Sequence, residues 1–204
     1  FLRLSMSLAS GIVLPASFTA CSRDDDTQHP LQTFVQPTML EAKNGLLDVI
    51  LTASYLDTKL SGADPRDKYP ISLRAYGYDG QAPSYSGPTL VVRGGDQLRI
   101  KLVNDLPFNP PFLALRDPTN YMKPNTTNLH THGLHVSPGI YTDKKPLEYG
   151  DYVVDPNYGG VLPQGDVRQY VYNLPSNHPA GPFYYHPQYH GSSAIQVASL
   201  MQGA

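Results

Sequence analysis

Two short histidine clusters carry the residues best suited to chemistry: Asn128-Leu129-His130-Thr131-His132-Gly133 and Tyr184-Tyr185-His186-Pro187-Gln188-Tyr189-His190-Gly191. In each, polar residues recur at every second position. On an extended strand the side chains at i and i+2 share a face and stand about 6–7 Å apart. Two such strands laid side by side could aim three or four imidazoles into one space, which is a metal-site arrangement. Neutral imidazole suits copper, zinc and iron alike, so spacing has to discriminate between sites. A lone pair such as His130/His132 also fits solvated or hydrogen-bonded strand residues. The second cluster strengthens the metal assignment, because it repeats the period and also ends in glycine. The candidate ligands are therefore His130, His132, His186 and His190. His135 has the opposite parity unless Gly133 bends the strand, His178 lies in the Ser176-Asn177-His178-Pro179 turn, and His29 lies in a polar N-terminal stretch; all three are assigned to loops or solvent.

The scaffold needed to hold such clusters is legible in the composition. Hydrophobic residues make up 40% of the 204 residues and charged residues only 16%, with 17 glycines and 20 prolines. That mixture suits short strands joined by turns and disfavours long solvent-exposed helices. Fifteen tyrosines and no tryptophan point the same way. The formal net charge of -2 offers no basic footprint, so nucleic acid is excluded as a partner.

Strand candidates are Leu46–Ala53, Ile71–Tyr78, Thr89–Arg93, Gln97–Val103, Arg168–Leu174 and Phe183–Tyr189, together with the segment around His130. Gly94-Gly95-Asp96 reads as a hairpin or tight connection between two of them, and Asp79-Gly80 as a turn. Asp57–Pro70 reads as a polar connection. Pro107–Thr126, with five prolines, and Ser137–Gly165 read as loops, and Ser192–Ala204 as a short helix. Roughly seven short strands separated by turn signals predict an all-β antiparallel sandwich or barrel.

At the N-terminus, Arg3 precedes a run of apolar and small residues, Leu4–Ala20, too interrupted by Ser, Gly and Pro for a good membrane span. It reads as an export signal covering residues 1–21. Phe18-Thr19-Ala20-Cys21 resembles the lipobox of bacterial lipoproteins, which implies lipidation of Cys21 and a membrane anchor; a plain signal peptide with a nearby cysteine is the alternative. Cys21 is the single cysteine, so no intrachain disulfide is possible. Residues 22–40 read as a polar tether and 41–204 as the folded domain. The expected location is outside the cytoplasm, periplasmic or anchored at the outer membrane of a bacterium.

Thr127-Asn128-Leu129-His130-Thr131-His132-Gly133-Leu134-His135, followed by Pro179-Ala180-Gly181-Pro182-Phe183-Tyr184-Tyr185-His186-Pro187-Gln188-Tyr189-His190-Gly191, resembles the first cupredoxin domain of bacterial multicopper oxidases, the laccase-like superfamily. Gly87-Pro88-Thr89-Leu90, Gly94-Gly95-Asp96 and Asn104-Asp105-Leu106 are similar to that family's early strands, and the resemblance spans about residues 45–204. It implies a cupredoxin-like Greek-key β-sandwich and a share in a trinuclear copper cluster. By the family pattern His130 binds the type 2 copper and His132 a type 3 copper, while His186 takes the first position of the second motif. The family reduces dioxygen to water at this cluster, with electrons from a reducing substrate oxidised at a type 1 copper.

Two departures qualify what the resemblance implies. The second motif normally reads His-x-His, but here it reads His186-Pro187-Gln188, and an amide oxygen is a poor copper donor beside imidazole. His190 has the right parity but sits two residues too far along. The type 1 site needs a thiolate, and Cys21 lies far from both motifs. The expectation is a first domain truncated at its C-terminal end, inactive by itself, with no catalytic residue of its own and completed by C-terminal cupredoxin domains. The rival expectation is a non-catalytic cupredoxin-like copper-binding or structural lipoprotein module; an immunoglobulin-like adhesion domain is disfavoured by the ordered motifs.

Overall fold

Strict alternation of apolar and polar residues builds the central sheet. In Leu46–Ser61 (β2) the residues Leu47, Val49, Leu51 and Ala53 are buried, while Asp48 and Ile50 face outward. Gln97–Asn104 (β5) repeats the pattern with Leu98, Ile100, Leu102 and Asn104 buried. Lys68–Tyr78 (β3) and Val167–Asn173 (β9) complete a four-stranded sheet of order β3-β2-β5-β9. Burying each of Leu51, Ile100 and Leu102 contributes roughly 1.5–3 kcal/mol, and Tyr170 and Tyr172 of β9 pack into the same core.

The structure is a computed structural model, and it describes residues 36–62, 64, 66, 68–109, 123–138, 141–142, 145–146 and 163–204. They fall in one compact unit, Gln36–Ala204. The export signal, the lipobox with Cys21 and the tether up to residue 35 lie outside the described residues, as do most of the two long loops.

The remaining strands are short. Met39–Glu41 (β1) pairs in parallel with Thr89–Val91 (β4), and His130–His132 (β6) pairs antiparallel with Tyr184–His186 (β10). Tyr141–Thr142 (β7) and Lys145–Pro146 (β8) form a small hairpin inside the second loop. The one described helix is Ser193–Ser199 (α1), within the stretch expected to be helical.

The all-β class holds, but several details differ from the sequence expectations. The pairings are not all antiparallel: the four-stranded sheet is mixed, with β2 parallel to β5, and β1 runs parallel to β4. The Gly94-Gly95 turn is no hairpin: β4 pairs with β1, and β5 with β2 and β9, so the turn hands the chain from one sheet to another. Gly94 suits that crossing, since a Cβ there would lie 2.8 Å from the Ser176 carbonyl oxygen. Asp57–Pro70, expected as a polar connection, is mostly strand. There β2 and β3 extend their pairing to Ser61↔Lys68, while the pairing of β2 with β5 stops at Ala53, leaving a two-stranded ribbon that needs no continuous apolar face. β1 begins at Met39, inside the stretch assigned to the tether.

The segment after α1 stitches β4 to β10. Gly87 N–H donates to the Gln202 carbonyl (2.8 Å) and Leu90 N–H to that of Ala204 (2.7 Å), while Tyr185 and Gly203 exchange backbone bonds of 2.9 and 3.1 Å. Tyr185 reaches between these strands and donates its hydroxyl to the Pro88 carbonyl (2.8 Å). Gly87 and Gly203 are small by necessity, because a Cβ at either would collide with that phenol.

Candidate metal centre

β6 and β10 set the geometry of the histidines through their register. Tyr184 stands opposite His132, and His186 opposite His130. Directly opposed residues share a face, so these four side chains form a square on one side of the strand pair, while Thr131 and Tyr185 point into the core. One ligand atom each from His130, His132 and His186 lies within 4.8 Å of the others, and no other residue joins this group among the described residues. His186 is buried, His130 intermediate and His132 exposed, so the centre opens toward solvent on the His132 side.

Hydrogen bonds orient the rings. His186 Nδ1 lies 2.8 Å from the Pro187 carbonyl oxygen, which can only accept, so Nδ1 carries the proton and Nε2 presents a lone pair to the centre. His132 Nδ1 is 3.2 Å from that Nε2. Burial lowers the pKa of His186, the Pro187 carbonyl raises it, and the charges that His130 and His132 would carry lower it further. The net effect keeps this imidazole neutral, and therefore able to ligate, to lower pH than an ordinary histidine. Tyr184 stacks on His132 with ring centroids 4.4 Å apart, and on His186 at 5.1 Å.

The approach to β6 is held from below by buried polar contacts. Leu129 N–H donates to the Tyr170 hydroxyl (3.2 Å). Gln196 of α1, fully buried, donates its amide to the carbonyls of Pro124 and Thr126 (both 2.8 Å) and accepts from the Thr127 hydroxyl (3.0 Å). These partners anchor the turn that delivers His130.

Of the four candidate ligands, the structure brings His130, His132 and His186 together and leaves His190 outside the group, exposed in the turn before α1. The expected strand Phe183–Tyr189 is only Tyr184–His186. Pro187 has no N–H to donate to a ladder, and Gln188 N–H goes instead to the buried Asn128 side chain (2.7 Å), so the period of two stops there. Gln188 itself is exposed. His135 and His178 lie apart from the centre, as expected, but they face each other: His135 N–H donates to His178 Nε2 (2.9 Å), and the rings are 5.0 Å apart. Sequence reasoning missed Tyr184, although its position two before His186 was the available signal. It also missed Asn128 and Gln196, for which no local signal existed.

No protein-family model and no curated protein sequence matches the chain. The laccase-like multicopper oxidase CueO from the bacterium Ochrobactrum sp. superposes with a TM-score of 0.52 at 17% identity, covering 84% of this chain and 29% of its own. A variant of the multicopper oxidase McoA from Aquifex aeolicus gives a TM-score of 0.51 at 19% identity, with coverage of 84% and 28%. A multicopper oxidase from Pediococcus acidilactici gives 0.50 at 18%, with coverage of 82% and 27%. This chain has the fold of a cupredoxin-like multicopper oxidase domain. It spans less than a third of the length of each of these oxidases. Three imidazoles, one with its tautomer set by a backbone carbonyl, form a donor set that fits copper in such a domain.

Proposed function

We propose that this cupredoxin-like domain supplies His130, His132 and His186 to the copper centre of a multicopper oxidase, an oxidoreductase that passes electrons from a reducing substrate to dioxygen. The observation that carries the proposal is the convergence of these three imidazoles on one face of β6–β10, within 4.8 Å of one another, on a fold shared with multicopper oxidases. His130 is assigned to the type 2 copper, and His132 and His186 to type 3 copper. Copper bound there supplies the electron transfer that reduces dioxygen to water. The chain's own contributions are to hold His186 Nε2 unprotonated through the Pro187 carbonyl, to fix the His132 and His186 rings against Tyr184, and to deliver His130 through the Gln196 clamp.

Electron entry needs a type 1 copper thiolate, and Cys21 in the export signal does not serve, so that site is assigned to further cupredoxin domains of the complete protein. Cys21 is proposed to carry a lipid that anchors the exported protein to a bacterial membrane. The position expected to hold the second type 3 histidine is Gln188, exposed and tied through its N–H to Asn128, which supports a cluster depleted or altered at one type 3 copper. Copper analysis and the near-ultraviolet type 3 absorption of the full-length protein test this, with Gln188→His as the comparison. The expected result is a weak signal that the substitution restores; a normal signal in the unmodified protein overturns it. The 204-residue chain alone is expected not to turn over a phenolic dye with copper, and steady turnover refutes that. Gln188 also favours a second reading, a copper-binding module without oxidase activity. A full-length protein that lacks type 1 blue absorption when loaded with copper selects that reading.

A further inference from the structure

Residues 202–204 run between two strands and bond to both. On the β4 side Gly87 N–H donates to the Gln202 carbonyl and Leu90 N–H to that of Ala204, while on the β10 side Tyr185 and Gly203 exchange both main-chain bonds. Ala204 also lines an apolar cavity of about 470 Å³. Its rims are the next residues along each neighbour, 91–94 after β4 pairs with Ala204 and 182–184 before Tyr185, and Leu98, Leu134 and Leu174 line it between them. We propose that this cavity is a β-strand slot whose occupant is an apolar segment continuing the course of residues 202–204. The slot belongs to the framework and does not depend on the copper assignment.

The main-chain groups that turn into the cavity are those of a strand site. Along β4, Thr89 and Val91 face β1: Thr89 N–H donates to the Thr38 carbonyl (2.7 Å), and the Val91 carbonyl accepts from Ala42 N–H (2.9 Å). A parallel ladder alternates sides residue by residue, so the Leu90 carbonyl and both main-chain groups of Val92 face the cavity. Tyr185 faces Gly203, and two residues back Phe183 turns its N–H and carbonyl the same way. None of these groups has a hydrogen-bond partner among the described residues. An incoming strand satisfies them in a single register. The first residue after Ala204 exchanges bonds with Phe183, and the second donates to the Leu90 carbonyl and accepts from Val92 N–H.

Side-chain parity follows from the same register. Directly opposed residues share a face, so Gly203 points the way Tyr185 does, into the core, where a Cβ would meet the phenol, and Ala204 is exposed. The first and third residues after Ala204 therefore face the leucines, and the second faces outward. The occupant is apolar at those two positions and indifferent to polarity between them. At about 3.3 Å per residue the 91–94 rim is about 10 Å long, which admits about three residues. Pairing with Phe183 also lengthens β10, whose own span is Tyr184–His186, and so steadies the stack of Tyr184 on His132.

The test compares the 204-residue chain with two extensions of equal composition, Val-Thr-Val-Thr and Thr-Val-Thr-Val, each appended after Ala204. A shift of one residue moves the valines from the core face to the solvent face, so only the first matches the slot. Hydrogen exchange at the Val92 and Phe183 amides reads the pairing, and the urea midpoint reads the packing. The expected result is that Val-Thr-Val-Thr slows both amides by at least about 10-fold and raises the midpoint, while Thr-Val-Thr-Val changes the exchange by less than about 2-fold. Equal protection by both extensions, or protection by neither, overturns the proposal. Slow exchange of both amides already present in the 204-residue chain means that the cavity has another occupant and overturns it too. A dependence of that protection on protein concentration then identifies a second copy of the chain.

Discussion

Two groups of histidines on neighbouring segments differ in what meets the second ring nitrogen. His130, His132 and His186 meet one another, and a lone pair of His186 faces the centre. His178 has both nitrogens engaged by backbone: Nδ1 donates to the Pro179 carbonyl (2.9 Å) and Nε2 accepts from His135 N–H (2.9 Å). The difference lies in the backbone around them. Both His186 and His178 give Nδ1 to the carbonyl of the following proline, but within β6–β10 the main-chain groups pair with each other, so Nε2 of His186 is left to meet the His132 ring. Past Gly133 the ladder ends, the N–H of His135 needs an acceptor, and an imidazole supplies it. A histidine therefore becomes a candidate ligand here only where a strand ladder has already satisfied the main chain.

The largest expected break in this comparison comes from truncating one ring on each side. His186→Ala should weaken copper(II) binding by at least about 100-fold, while His178→Ala should leave it within about 2-fold, both read by calorimetric titration. Equal losses would show that the two groups are not functionally distinct. Gln196→Leu leaves the carbonyls of Pro124 and Thr126 and the Thr127 hydroxyl without their amide partner, and should cost about 2–3 kcal/mol in urea unfolding while also loosening His130. Unchanged stability would remove α1 from the support of the centre.

Gly133→Ala sharpens the boundary between the two groups. Gly133 has φ +88°, and a Cβ would stand 3.0 Å from the Phe183 ring, so the substitution should cost about 1–2 kcal/mol by strain, visible in the same unfolding measurement. The smallest effect expected is the stability loss in His178→Ala, about 0.5–1 kcal/mol, because His135 is exposed and water replaces the lost acceptor. A loss above about 2 kcal/mol would mean that the loop pair carries a structural load like that of Gln196.

Much of the scaffold was legible because it is encoded locally. The alternation in Leu98, Ile100 and Leu102 marks a half-buried strand whatever it pairs with, and β5 lies where that pattern places it. The ribbon of β2 and β3 was not legible, since Asp57–Ser61 is held by strand pairing with little burial and carries no apolar period to read. The Gly94-Gly95 turn shows the same limit from the other side: a two-residue glycine turn between strands looks like a hairpin, yet here its strands belong to different sheets.

What the sequence by itself determined was which histidines could share a face: period two placed His130 with His132 and set His135 apart, while Tyr184, two before His186, went unread. Gln188 stood out as a departure without any coordinates. What only the tertiary structure decided was which faces meet. His132 and His186 are 54 residues apart, and their approach depends on the register of β6 against β10, on Asn128 capturing the Gln188 N–H, and on Gln196 bracing the turn before His130. Those are long-range contacts between polar groups that must be satisfied once buried, and no local pattern records with which partner a buried amide will be satisfied.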